Sequence, residues 1–406
     1  MNPEMTHKST LAQIPLSIWL LGFVSLLMDI SSEMIHSILP LFMVTTLGAS
    51  AFTVGMIEGG AEATALIVKI FSGVLSDYLG KRKWLAVSGY ALGALTKPLF
   101  ALATSSSIVM SARILDRVGK GIRGAPRDAL VADITPPHLR GAAFGLRQAL
   151  DTVGAFVGPL TAAGLMLLWA NDFRAIFWVA VIPAFLAVAL LIFGVREPER
   201  HAEAQPVNPI QRNNLRRLTA AYWWVVAIGA IFTLARFSEA FLVLRARQSG
   251  MPLAMVPLVM MLMSMVYALS AYPFGKLSDS MSHIKLLVAG VLVLIAADLV
   301  LAHSSHWSMV LLGVTLWGLH MGMTQGLLAT MVAEVAPADL RGTAFGFFYL
   351  TSGIAMLIAS ALAGLLWDRL GAGYTFYAGA IFCVLLLIII TIKAGRKKSA
   401  HTPFTQ

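Results

Sequence analysis

Arg113, Arg117, Lys120, Arg123 and Arg127 follow one another at steps of three or four residues, with Asp116 among them and glycines at 119, 121 and 124. Helical spacing of this kind lines side chains along one face. A guanidinium keeps its charge in any surroundings and offers a forked donor that suits carboxylates and phosphates. The stripe therefore predicts an anion site, with Arg113, Arg117 and Lys120 as ligands and Arg123 and Arg127 in a gate nearer the cytoplasm. The glycines permit close backbone approach of a ligand or of a neighbouring helix. A competing account is that Asp116, Asp151, Glu58 and Glu62 neutralise the stripe, because charges in apolar surroundings pair with one another.

A second constellation is acidic. Asp29, Glu33 and His36 stand at i, i+4 and i+7, again one helical face. Such a stripe predicts a proton relay in which one carboxylate exchanges a proton during a cycle, or else a fixed ion pair that locks helices together. The proton-coupling candidates are Asp29, Glu33, Glu239 and Asp116, and His36 is read mainly as structural. Ser238-Glu239 echoes Ser32-Glu33, and Arg236 precedes Glu239 by one turn, as a candidate ligand from the other half. Glu58, Glu62, Lys69 and Lys97 are read as structural pairs.

The elements that hold these residues are dictated by composition. The 406 residues are 58% hydrophobic and only 12% charged, with a mean hydropathy of +0.79. Soluble chains are about one-quarter charged, so a water-facing enzyme is excluded and lipid is the solvent. A spanning helix takes roughly 20 apolar residues. Breaks at Gly, Pro and charge clusters place twelve spans, near 16–45, 52–77, 84–104, 107–132, 142–169, 173–194, 219–244, 253–278, 285–303, 307–332, 342–366 and 372–393. The first is too long and too polar in its middle for a cleavable leader.

The net charge of +10 raises a nucleic-acid reading, which the charge distribution removes. About seventeen Lys and Arg fall in connections on the side of both termini, against about four opposite, which is the positive-inside signal. They are spread over short loops instead of gathered on one face. Both termini are expected in the cytoplasm. The polar stretch 196–218 reads as a cytoplasmic linker between an N-terminal bundle, 1–195, and a C-terminal bundle, 219–406. The two halves repeat one another. Leu139-Arg140-Gly141-Ala142-Ala143-Phe144-Gly145 recurs as Leu340-Arg341-Gly342-Thr343-Ala344-Phe345-Gly346, and Gly73-Val74-Leu75-Ser76-Asp77 as Gly275-Lys276-Leu277-Ser278-Asp279. Six spans per half make this a parallel duplication around a central site, a transporter architecture. At the cytoplasmic ends Asp77 with Arg140, and Asp279 with Arg341, read as latches that hold the bundles when the site opens outward.

These residues carry a family resemblance that covers almost the whole chain. The run from Gly73 to Lys83, with Leu75, Asp77, Gly80, Lys81 and Arg82, resembles the cytoplasmic signature of the major facilitator superfamily; the copy from Gly275 replaces that later Gly with Ser282. Arg117-Val118-Gly119-Lys120-Gly121-Ile122-Arg123-Gly124 resembles the superfamily's arginine motif, with Lys120 where many members carry Gln. Gly154-Ala155-Phe156-Val157-Gly158-Pro159 is similar to the Gly-Pro motif of proton-coupled exporters, although Ala162-Ala163 replace its closing glycines. The resemblance implies an all-α fold of two pseudo-symmetric six-helix bundles, a cavity lined by spans one, four, seven and ten, and rocking-bundle alternating access. It also suggests a bacterial inner membrane.

Other chemistries lack their residues. One cysteine, Cys383, excludes intrachain disulfides and multi-thiolate metal sites, and no phosphate loop, nucleophile elbow or zinc spacing is present. No cofactor or metal is expected; a proton gradient is the driving force, the bilayer and a small solute are the partners, and a monomer is the expected state. The leading expectation is proton-coupled transport of a small organic anion, for which a polycarboxylate or citrate-type siderophore would be suitable. A multidrug-type proton antiporter for cationic or amphipathic compounds is the alternative, and a non-transporting receptor on the same fold a third.

Overall fold

A computed structural model describes residues 13–79, 82–197, 217–337 and 340–399. In lipid every main-chain polar group needs an internal partner, which a helix supplies within one segment, and the long elements among the described residues are helices. They are α1 (Leu16–His36), α2 (Ala51–Leu79), α3 (Arg82–Leu102), α4 (Ser106–Ile134), α5 (Arg140–Leu168), α6 (Phe173–Gly194), α7 (Ala220–Ala235), α8 (Ala240–Gln248), α9 (Leu258–Ser280), α10 (His283–His303), α11 (Trp307–Val335), α12 (Arg341–Leu370) and α13 (Ala372–Ser399). After α1 come a short turn, Leu39–Leu41, with Pro40, and a π-helical turn, Phe42–Thr46.

Ten segments are long and apolar enough to cross a membrane. The other two, α4 and α11, have 29 residues each, about 43 Å at 1.5 Å per residue, against a hydrocarbon core of about 30 Å. The charge stripe is what takes α4 below the apolar threshold, so its polar face must be covered by protein.

The expected seventh span, 219–244, is not one continuous helix. It stops at Ala235 and restarts at Ala240 as α8. Side chains stand in for the interrupted ladder: Ser238 N donates to Ser360 Oγ at 3.1 Å, and Ala240 N to Ser238 Oγ at 3.2 Å. Arg236 and Glu239 therefore lie in a break, not one turn apart on a helix. The linker expected over 196–218 falls mostly on 198–216, outside the described residues.

By packing the chain forms two compact units. The first takes the chain to His36 and again from Ile67 through α6; the second takes Ser37–Leu66 and everything from α7 onward. In the first unit α1, α3, α4, α5 and α6 bury Ile18, Leu21, Val24, Met28, Tyr90 and Leu191. Glycines set the closest approaches. A Cβ on Gly119 of α4 would stand 2.7 Å from the Gly89 carbonyl oxygen and 3.0 Å from Gly93 N, so α3 and α4 touch through their backbones. On α5, a Cβ at Gly154 would meet Asp29 Cβ and Leu26 O at 2.9 Å, and one at Gly158 would meet Glu33 Cβ at 2.7 Å. The acidic face of α1 is thereby seated on the glycines of α5.

The second unit has an aromatic interior: Phe237 lies 5.3 Å from Trp317, 5.6 Å from Phe241 and 5.5 Å from Phe376 between ring centroids. The Phe241 and Phe376 pairs are edge-to-face, a geometry favourable beyond the area buried. The carboxylate of Asp368 in α12 accepts from Ala51 N at 3.0 Å and Phe52 N at 2.8 Å, capping the start of α2. Arg245 of α8 donates to Leu301 O at 3.0 Å, Ala302 O at 3.1 Å and Ser304 O at 2.9 Å, which satisfies the carbonyls at the end of α10.

Candidate functional site

Within the first unit the backbone contact of α3 with α4 brings Lys97, 19 residues earlier in the chain, against Asp116. Lys97 Nζ lies 2.8 Å from Asp116 Oδ1 and donates to Ser32 Oγ of α1 at 3.0 Å. The lysine is fully buried. Arg113 Nη1 stands 3.8 Å from Asp116 Oδ2, and His36 Nε2 stands 3.7 Å from the same oxygen. Arg113 also donates to His36 Nε2, and Arg117 Nη2 lies 3.4 Å from His36 Nδ1. Glu33 Oε1 is 3.7 Å from that Nδ1. His36, weighted toward a structural role in the sequence, is thus the hub that ties α1 to two arginines of α4.

Lys97, Arg113, Arg117 and Arg123 are all at most 5% exposed, and Asp116, at 2%, is the buried acid among them; the side chain of Glu33 keeps 24% of its surface. Arg123 places its guanidinium carbon 4.7 Å from the centre of the Tyr90 ring, and its Nη1 has no hydrogen-bond partner among the described residues. A cation over an aromatic face is stabilised by the ring quadrupole.

Toward the other end of α4 the cations have their own partners. Arg127 donates to Ser25 Oγ and to Asp128 Oδ1, both at 3.2 Å. Arg147 Nη1 is 2.6 Å from Asp151 Oδ2. Lys120 is exposed and Asp29 half-buried, and the charges of Asp151, Arg123, Lys120 and Arg127 reach Asp29. The cations named as one stripe therefore divide: Arg113 and Arg117 join the Asp116 cluster, Arg123 packs on Tyr90, Arg127 belongs to a separate set, and Lys120 lies exposed.

The profile of the Major Facilitator Superfamily matches residues 21–297 and 240–406. The chain belongs to the major facilitator superfamily. Its relatives include the MFS-type transporter MJ1317 of Methanocaldococcus jannaschii, 33% identical over 92% of this chain and 94% of that one. The inner membrane transport protein YajR of Escherichia coli is 25% identical over 91% of this chain and 82% of its own. The multidrug resistance protein MdtH of Photorhabdus laumondii is 32% identical over 39% of each. Among solved structures, a point mutant of the nucleoside transporter NupG aligns with a TM-score of 0.79 at 12% identity, over 93% of this chain and 99% of that one, which shows the common fold. The protein is accordingly a multi-pass membrane transporter and not an enzyme.

Arg140 is exposed, while the side chains of Asp77, Asp279 and Arg341 lie outside the described residues. In the second unit of this transporter, Arg236 sits in the helix break with its guanidinium carbon 5.8 Å from the centre of the Phe232 ring, and the charges of Glu239 and Tyr267 reach it. Beside it on α11, His320 is fully buried, with its ring 5.3 Å from Trp317 and 6.3 Å from Phe232. Sequence reading passed over His320 and over Asp298 of α10. Each is a lone polar residue in an apolar run, and that isolation was the available signal.

Proposed function

We propose that this transporter carries a small organic anion, of the polycarboxylate or citrate-type siderophore class, by proton-coupled alternating access. The observation that supports this reading is the gathering of buried bases at Asp116 and His36. Lys97 engages Asp116 most closely, at 2.8 Å, and the guanidinium groups of Arg113 and Arg117 converge on the His36 ring. The forked donors of two buried guanidinium groups suit the carboxylates of such a solute. Arg113 and Arg117 are its ligands in the first unit, and Arg236 is the candidate ligand of the second unit taken by itself. Glu33, which touches the same histidine, and Asp29 are the proton carriers nearest the cluster, with Glu239 in the second unit and Asp116 as the acid that holds the bases together. Asp77, Arg140, Asp279, Arg341, Arg123 and Arg127 serve gating. The protein works as a monomer in a bacterial inner membrane with both termini cytoplasmic, a setting supported by its likeness to YajR.

A second reading is export of amphipathic or cationic compounds. It is favoured by the likeness to MdtH and by the aromatic surroundings of Arg236, where Phe237 and Trp317 lie 5.3 Å apart. Thermal stabilisation of the purified protein by a panel of anions, cations and neutral metabolites separates the two, since a ligand that prefers the folded state raises the melting temperature. Polyanions alone should stabilise, and Arg117→Gln should remove the effect. Stabilisation by amphipathic cations alone, unchanged in Arg117→Gln, overturns the anion reading.

A further inference from the structure

Asp298 is the most anomalous charged residue in the second unit. It lies in the apolar helix α10, is fully buried, and neither carboxyl oxygen has a hydrogen-bond partner among the described residues. Asp116 and the buried cations described around it each have a partner of opposite charge, a ring or a hydroxyl beside them; among the described residues no base reaches Asp298. An ionised, unpaired carboxylate in such surroundings is strongly unfavourable.

Its position narrows what offsets the charge. A Cβ on Gly379 of α13 would stand 2.6 Å from Asp298 Oδ2 and 3.2 Å from the carbonyl oxygen of Ala235. The carboxyl and that carbonyl thus face the same small space, which exists because α13 has a glycine there. Ala235 is the last residue of α7, where the helix stops, and the final carbonyls of a helix carry partial negative charge with no intrahelical donor. A carboxyl group against a helix C-terminus lacks a positive partner, and interrupted spans of secondary transporters hold sodium ions or protons at such ends. The titratable group that faces it from α13 is the buried Cys383; α7 presents main chain. A sodium ion needs a full shell of oxygen ligands; the atoms nearest this space are those of the carboxyl group and one carbonyl oxygen. A proton needs a single acceptor.

We propose that Asp298 is a proton-binding site of the second unit, its carboxyl O–H directed to the carbonyl end of α7 at the break before Arg236. The site is separate from the charge cluster on α4 and does not depend on the substrate being an anion. Proton occupancy here fixes the end of α7, and loss of the proton would place a negative charge against that end and loosen the break that carries Arg236 and Glu239.

The test is infrared spectroscopy of the full-length protein in liposomes, comparing wild type with each variant in sodium and in choline buffers. Wild type should show the carbonyl stretch of a protonated carboxylic acid, insensitive to sodium. That band should vanish in Asp298→Asn, a neutral isostere expected to keep the wild-type melting temperature. Asp298→Glu should move the band without abolishing it, which keeps the test decisive if the amide variant fails to fold. A band that is unchanged in both variants overturns the proposal. So does a sodium-dependent rise in melting temperature that Asp298→Asn removes, which would assign the site to a metal cation.

Discussion

Replacing Lys97 with Met tests whether the Lys97–Asp116 pair is what permits the charged face of α4 to sit inside the first unit. Methionine keeps most of the buried stem volume and removes the ammonium, so packing is nearly conserved while Asp116 loses its 2.8 Å partner. Breaking a buried pair from one side costs about 3–5 kcal/mol, because the remaining charge stays desolvated. Asp116 keeps Arg113 at 3.8 Å and His36 at 3.7 Å, which places the expected loss near the lower end, at about 3 kcal/mol. Asp116→Asn and the double variant complete a cycle. Contacting residues in one network couple by about 0.5–3 kcal/mol, and a fully buried pair belongs in the upper part of that range. Unfolding of the four proteins in mixed detergent–SDS micelles supplies the numbers. A coupling below about 0.5 kcal/mol, or a Lys97→Met protein as stable as wild type, would refute the pairing as the organising contact of the site.

The glycine contacts predict a sharp positional contrast on α5: Gly158→Leu must push Glu33 and Ile30 of α1 away, at a cost of about 1–3 kcal/mol in overpacking. Gly164→Ala on the same helix, where a Cβ meets nothing within 4 Å, should leave the melting temperature unchanged or raise it. Asp368→Ala removes the acceptor of two main-chain N–H groups at the start of α2 and should cost about 1–2 kcal/mol, with faster amide exchange at Ala51 and Phe52 as the local signature. Arg245→Gln withdraws the donors that close the end of α10. It should lower stability by about 2–3 kcal/mol, the scale of a hydrogen bond from a charged donor, while transport by molecules that remain folded is retained.

The fold was legible because lipid leaves few alternatives to apolar helices, and a run of about 20 residues is a strong signal. The site was legible in part. Spacing along α4 and α1 places Arg113, Arg117 and Asp116 on one helix and Glu33 with His36 on another, which are local properties of two helices. Spacing says nothing about which residue lies across a helix pair. Lys97 was grouped with structural pairs, but its acid could not be named, because the contact depends on Gly89, Gly93 and Gly119 bringing two backbones together. The contacts of His36 with Arg113 and Arg117 escape spacing for the same reason, since they come from facing α4. The break between Ala235 and Ala240 has no Gly or Pro to announce it; the serine hydroxyls that sustain it, Ser238 and Ser360, are 122 residues apart.

Cys383 is the sole cysteine of the chain, and it is fully buried, one turn beyond Gly379 on α13. A thiol reagent confined to water therefore finds nothing to label in the native protein. Cysteines introduced one at a time, beginning at the exposed positions Lys120 and Arg140, can be read directly against wild type without first building a thiol-free background. The rate at which each is modified, with and without a candidate solute, would chart where water reaches the pathway and where cargo shuts it out.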